Sequence, residues 1–144
     1  MNKVVLDANI YVKLFKKESD SDQAIRLFNK LIEEGVEILA PSVVVNETVT
    51  TCEVNRHPIS EVCDFFSALI NSGIQLLELD QTIIEKTLAM TEQGHPKSGF
   101  PTFSDSLYHA MAIQEDALFI TADRRHYEKT KHLGNIELLS QLTL

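Results

Sequence analysis

The apolar residues of this chain follow two alternating rhythms. Short, nearly continuous apolar runs read as strands: "KVVLDANI" near the start, then "VEILAPS", "IQLLELD", "ALFITAD" and "IELLS". Longer segments with helical spacing separate them. In "ESDSDQAIRLFNKLIEEG", Ser19 and Asp22 have capping-box spacing, Ala24, Leu27, Phe28, Leu31 and Ile32 share one face, and Gly35 supplies a stop. "VVVNETVTTCEVN" reads as a helix despite its β-branched residues, because it follows the break at Pro41 and Ser42. "PISEVCDFFSALINSG" begins at Pro58, turns Val62, Phe65, Phe66, Leu69 and Ile70 inward, and ends at Gly73. "QTIIEKTLAMTEQG" is a further helix closed by Gly94, and "HPKSGFPT" is a loop. "FSDSLYHAMAIQED" is a helix with Leu107, Ala110, Met111 and Ile113 as its apolar positions, and "RRHYEKTKHLG" is a short one.

Strand and helix therefore alternate along the whole chain. Strands this apolar are buried on both faces, so the pattern predicts an α/β fold with a parallel sheet covered by helices on both sides. There is no internal repeat and no linker, and residues 1–144 are expected to form a single domain. In open α/β sheets ligands sit outside the carboxyl ends of the strands, where the strand order reverses. Acids that terminate strands are thus placed where chemistry is usually done.

Composition narrows the picture. Hydrophobic residues make up 44% and charged residues 24%, the balance of a folded rather than a disordered chain. No apolar run approaches the roughly 20 residues of a membrane helix, and "MNKVVLDANI" lacks the apolar core of a secretory leader. Cys52 and Cys63 have no metal-binding spacing and are expected to be reduced thiols of a cytoplasmic protein. The net charge of −8 opposes nucleic-acid binding by the molecule as a whole. Residues 124–132, "RRHYEKTKH", run against that trend, with Arg124, Arg125, Lys129 and Lys131 against a single Glu128. Overall charge does not decide what one face binds; the other reading of this run is a solvated helix.

Four carboxylates stand out by position. Asp7 ends the first strand, Glu47 lies in the helix after the second, Asp105 opens the helix after the loop, and Asp123 ends the "LFITAD" strand. Each also has an ordinary explanation. Asp7 and Asp123 are in position to cap helices, Thr102 and Asp105 have near capping-box spacing, and Glu47 could be a solvated helix residue. Asp80 is a control: it too ends a strand, and it is expected to be a cap. The candidates differ from Asp80 in their neighbours. Asn9 stands two residues after Asp7 and Thr121 two before Asp123, which in extended backbone places each pair on one face. Ser104 and Ser106 flank Asp105. Short polar groups beside carboxylates can orient metal ligands. Carboxylates that crowd together repel, and one tends to take up a proton. A hard divalent cation, Mg²⁺ or Mn²⁺, removes that difficulty and suits an anionic phosphodiester substrate.

These segments carry a resemblance. "VVLDANIYV", "APSVVVNETV", "FPTFSDSLYHAMAIQ" and "ALFITADRRHY" resemble, in order and at similar distances, the PIN-domain ribonucleases, especially the small VapC-type toxins of prokaryotic toxin–antitoxin pairs. The resemblance spans nearly the whole chain. It implies an α/β/α sandwich around a parallel sheet and Mg²⁺- or Mn²⁺-dependent cleavage of RNA. It also implies Asp7, Glu47, Asp105 and Asp123 as the metal-binding acids, with Asn9, Ser104 and Thr121 supporting them. A cognate antitoxin, a homodimer and a cytoplasmic setting are implied in the same way. Glu53 offers a second carboxylate on the same helix as Glu47, but Glu47 is the one that directly follows "PSVVVN". Lys97, Arg124, Arg125 and Lys129 are candidates for contacts to RNA phosphates, and His109 and His126 are alternative ligands or bases, His109 otherwise packing on its helix and His126 lying near the rim.

Two rival readings remain open at this point. One is a metal-dependent phosphohydrolase acting on small phosphoesters. The haloacid-dehalogenase type needs an acid at both positions of a D-x-D motif after its first strand, and here that place reads Asp7-Ala8-Asn9. The other is a non-catalytic acidic module that holds a partner protein, which the negative charge favours and the complete set of four acids disfavours.

Overall fold

The computed structural model describes residues 2–144 and holds a five-stranded, entirely parallel sheet. Its strands are β1 (Lys3–Leu6), β2 (Glu37–Pro41), β3 (Gln75–Leu77), β4 (Leu118–Thr121) and β5 (Ile136–Leu138), ordered β3-β2-β1-β4-β5. Seven α-helices join them: α1 (Ala8–Val12), α2 (Ser21–Glu33), α3 (Val43–Val54), α4 (Ile59–Ser72), α5 (Gln81–Thr91), α6 (Phe103–Gln114) and α7 (Arg124–Thr130). The first strand is the central one. Val5 pairs in register with Leu39 on one side and Phe119 on the other. The strand order reverses between β1 and β4, so the carboxyl ends of those two strands form the switch point where such sheets take ligands.

The sheet is apolar because both of its faces are covered. Val4, Val5, Leu6, Leu39, Phe119 and Ile120 are all almost completely buried. On one face α6 packs against the sheet, with Tyr108 and His109 stacked on Phe119. On the other, α2 presents Leu27 and Leu31 beside Val4, Leu118 and Ile120. An aromatic cluster of Tyr11, Phe28 and Phe66 knits α1, α2 and α4 together, with ring centroids 5.4–5.5 Å apart. This is the three-layer α/β/α arrangement.

The structure corrects the sequence reading in several places. "KVVLDANI" is not one strand: β1 stops at Leu6 and the chain turns at once into α1. Helix α2 is preceded by Asp20, not Ser19, and the local bond there is from the Glu18 N–H to Ser21 Oγ at 2.8 Å. Ile32 and Ile70, expected to point inward, are 61% and 48% exposed. Each follows a buried leucine, Leu31 or Leu69, by one residue, and the helical rotation of about 100° turns it off the buried face. Helix α5 ends at Thr91, three residues before Gly94. Gly94 serves a different purpose: a Cβ there would stand 2.7 Å from both Gly99 O and Phe100, because the loop folds back on itself through paired His95 and Gly99. Cys52 and Cys63 are both free thiols. Among the described residues no helix is long and apolar enough to cross a membrane.

Asp80 caps α5, its Oδ1 accepting from the Ile83 N–H at 2.8 Å. Loss of such a cap costs about 1 kcal/mol. Asp80→Ala is therefore expected to lower stability by about that amount in urea unfolding; an unchanged midpoint would show the cap to be dispensable.

Candidate active site

The carboxyl end of β1 delivers Asp7 to the switch point. Its backbone N–H donates to Ile120 O at 3.0 Å, which fixes the end of β1 against β4. The side chain is 8% exposed, and its Oδ2 accepts from Thr121 Oγ1 at 2.7 Å and Asn9 Nδ2 at 3.3 Å. Thr121 Oγ1 also accepts from the Asp123 N–H at 3.0 Å, and Asn9 Oδ1 accepts from the Ala122 N–H at 3.3 Å. Asp7, Asn9 and Thr121 are thus one network across the ends of β1 and β4. Asn9 reaches it by a different route from the one the spacing implied. It lies in the first turn of α1, where the helical bend, not strand alternation, brings its amide back to Asp7.

Two further acids face the same space. Glu47 comes from the second turn of α3 and Asp105 from the first turn of α6. Helix α6 runs directly into β4, so its amino end lies at the sheet's carboxyl edge. Asp7, Glu47 and Asp105 together line an open cleft of about 310 Å³, with Asn9, Val12, Lys16, Glu18 and Thr51 completing its wall. As they stand, no three Asp, Glu, His or Cys side chains among the described residues are drawn closely enough together to grip one ion. Like charges oppose that approach, and their effect is visible. Burial pushes the Asp7 carboxyl up to about 7 against the opposing Thr121 hydrogen bond, and the charges of Asp105 and Asp123 add to the rise. Glu47 is also raised, by burial and by Asp105.

Asp123 stands apart from this cleft. It caps α7, its Oδ1 accepting from the Arg125 and His126 N–H groups at 2.9 and 3.2 Å. It joins the acids through its charge on Asp7 and through the shared Thr121 hydroxyl. Ser104 is exposed and makes no hydrogen bond to Asp105; the Asp105 N–H is taken by Thr102 Oγ1 at 3.2 Å. The physical reason is helical geometry, which turns neighbours in sequence to different faces, so Ser106 is buried while Ser104 meets solvent.

Several buried hydroxyls around the acids lack partners among the described residues. Those of Thr48 and Ser106 adjoin Glu47 and Asp105 in sequence, and that of Tyr108 follows Asp105 by one turn. Burial, then the charges of Glu47 and Asp7, hold the Tyr108 phenol well above its ordinary range. The phenol in turn favours the charged form of Glu47, although it stops short of hydrogen-bond geometry. Tyr108 was not legible as a site residue, because a tyrosine among apolar helix positions reads as core.

The donors facing the cleft are carboxylate oxygens, with no His or Cys among its lining residues. Such a set fits a hard divalent cation such as Mg²⁺ or Mn²⁺ and not a soft one. The two candidate histidines are elsewhere. Neither is near a rim: His109 and His126 are fully buried and bonded to each other, Nδ1 to Nε2, at 3.2 Å.

Of the candidate basic residues, Arg124, Arg125 and Lys129 line an open groove together with Ser98 and Glu128, beside Asp123. Arg124 and Lys131 are paired with Glu128, whereas Arg125 and Lys129 have no acidic partner among the described residues. Lys97 is exposed on the neighbouring loop but does not line the groove.

Comparison with known proteins agrees with this fold. No curated protein matches the chain by sequence. Among solved structures, it is similar to a toxin–antitoxin complex from Klebsiella pneumoniae, with 16% identity, a TM-score of 0.66, and 96% of this chain and 99% of the other covered. It is similar to VapBC2 from Rickettsia felis bound to a DNA fragment from their promoter, with 18% identity, a TM-score of 0.66 and coverage of 94% and 96%. It is also similar to Mycobacterium tuberculosis VapC20, a sarcin–ricin loop cleaving toxin, with 11% identity, a TM-score of 0.64 and coverage of 82% and 86%. The model of the PIN domain family matches residues 4–132. With its parallel sheet, its switch-point acids and a match over most of its length, this chain belongs to the PIN domain family.

Proposed function

We propose that the chain is a divalent-metal-dependent endoribonuclease and the toxin of a toxin–antitoxin pair. The observation that carries this reading is the convergence of Asp7, Glu47 and Asp105, from three separate segments, on one cleft at the switch point of the sheet. Asp7, Glu47 and Asp105 would hold Mg²⁺ or Mn²⁺, with Asp123 supporting them from the end of β4. Such a cation, when bound, neutralises the acids, polarises a phosphodiester and acidifies water for in-line attack. Thr121 and Asn9 hold the Asp7 carboxylate in orientation by their hydrogen bonds. Arg124, Arg125 and Lys129, with Lys97 on the adjoining loop, supply positive charge for RNA phosphates beside Asp123.

The similar structures are of toxins and toxin–antitoxin complexes, which supports a cognate antitoxin as partner. A homodimer is part of the same reading. Exposed Ile84 and Leu88 on α5 and Ile113 on α6 supply apolar surface that a partner subunit could cover. A cytoplasmic setting suits the free thiols and an RNA substrate.

The test compares cleavage of total cellular RNA and of p-nitrophenyl phosphate, with and without Mn²⁺, by the wild type and Asp105→Asn. RNA cleavage that needs Mn²⁺ and is lost in the variant is the expected result. Hydrolysis of the small ester alone would favour a phosphohydrolase, and no turnover of either substrate would favour a non-catalytic module.

A further inference from the structure

One cation in the acidic cleft is unaccounted for by the metal-binding set. Lys16 lines that cleft beside Asp7, Glu47 and Asp105. It belongs to the loop between α1 and α2, "KLFKKESD", which carries three lysines, Lys13, Lys16 and Lys17. The acids of the loop are already engaged. Lys13, 8% exposed, binds Glu18 Oε2 at 3.2 Å and Asp20 Oδ1 at 2.9 Å. Burial alone would lower the Lys13 pKa, but the hydrogen bonds and charges of Asp20 and Glu18 outweigh it and raise it. Lys13 thus consumes the two carboxylates nearest in sequence to Lys16. Lys16 itself has no ion pair among the described residues.

The backbone of Lys16 is held in place while its side chain is exposed. Its N–H donates to Val12 O at 2.8 Å, and its carbonyl accepts from Ser21 Oγ at 3.3 Å. The same Ser21 Oγ accepts from the Glu18 N–H. The loop is therefore a knitted unit that presents one unneutralised ammonium at the mouth of a carboxylate cleft. A cleft that repels phosphate through three acids gains from a positive charge on its wall, because that charge aids association of an anion. The basic groove of Arg125 and Lys129 lies beside Asp123, outside the cleft lining, and cannot serve this wall.

We infer that Lys16 is a substrate-binding residue that holds an RNA phosphate at the α1 side of the acidic cleft, separate from the groove on α7. This rests on the ribonuclease reading. One phosphate contact to single-stranded RNA contributes about 0.7 to the slope of log affinity against log salt concentration.

The experiment measures Mn²⁺-dependent cleavage of a fluorogenic single-stranded RNA over a salt series for the wild type, Lys16→Met and Lys16→Arg, with Mn²⁺ affinity measured by calorimetry without RNA. Lys16→Met is expected to raise KM about three- to tenfold and flatten the salt slope of kcat/KM by about 0.7. Its kcat and Mn²⁺ affinity stay within about twofold of the wild type, and Lys16→Arg keeps most of the affinity. Unchanged KM and salt slope in Lys16→Met, with the wild type active, would overturn the assignment alone. A weakened Mn²⁺ affinity with a fall in kcat would also overturn it, by showing that Lys16 shapes the metal site. A wild type that cleaves no RNA would instead overturn the ribonuclease reading beneath it.

Discussion

Asp7→Asn is expected to abolish RNA cleavage and, in the same molecule, to make the metal-free protein more stable at pH 8. The first effect follows from position. Asp7 lies at the centre of the hydrogen-bond network and is the most buried of the four acids. Loss of groups that merely support a metal ligand costs ten- to a hundredfold, so replacement of the ligand should cost at least about a hundredfold. The second effect follows from the direction of its titration. Asp7 moves from 3.8 to about 7 on folding, because burial and neighbouring acids penalise its charge. The folded state then holds a proton that the unfolded chain has released. Stability falls as pH rises from about 4 to about 7, and above that range the ionised carboxylate is a net cost. At about 1.4 kcal/mol per pKa unit the cost is on the order of 4 kcal/mol. Asn removes it. Urea unfolding in chelator should show the variant ahead at pH 8, with its advantage fading as pH falls toward 4. Mn²⁺ should reverse the order by stabilising only the wild type through binding. A variant no more stable than the wild type at pH 8 would contradict this account of the acid cluster.

Acid is expected to destabilise the protein through a second, independent device with the opposite sign. His109 Nε2 is 2.7 Å from Gly134 O, an acceptor only, so that nitrogen carries the proton. His109 Nδ1 is then a lone pair and accepts from His126 Nε2–H, leaving His126 Nδ1 buried and unprotonated. Both rings are neutral, and a proton added to either has no acceptor. Burial accordingly lowers both pKa values to about 4. Here the unfolded chain binds more protons, so the stability contribution is full above about 6.5 and is lost as pH falls toward 4. The loss is on the order of 3 kcal/mol for each ring. Because Asp7 opposes it over nearly the same range, Asp7→Asn is the background in which to see it. A flat stability profile between pH 6.5 and 4 in that variant would contradict the neutral buried pair.

The sheet, its parallel direction and the cap at Asp80 were legible because each rests on short-range pattern: apolar strands, helical spacing, an acid before a helix. The acids at strand ends were legible for the same reason. What could not be read is how far each side chain travels. Asp123 has the same local sequence logic as Asp7, yet its carboxylate turns to the N–H groups of α7, a choice between two nearby partners. Ser104 and Ser106 differ only by helical rotation, which one residue's error in the start of α6 would invert. Asn9 was paired with Asp7 on the assumption of extended backbone, and the pairing is present through a helical turn instead. Lys16 carried no signal at all. Its place depends on Lys13 binding Glu18 and Asp20, and a run of lysines and acids reads as solvated loop until that ion pair is seen.

The claim on which the whole account rests is that Asp7, Glu47 and Asp105 hold one divalent cation, with Asp123 supporting them. Calorimetric titration of Mn²⁺ into the wild type and into Asp7→Asn, Glu47→Gln, Asp105→Asn and Asp123→Asn tests it directly. The account predicts a saturable site in the wild type that every one of the four substitutions weakens, Asp123→Asn the least because its carboxylate also caps α7. Mn²⁺ binding that is absent from the folded wild type, or that persists unchanged when Asp7, Glu47 or Asp105 is replaced, would contradict it.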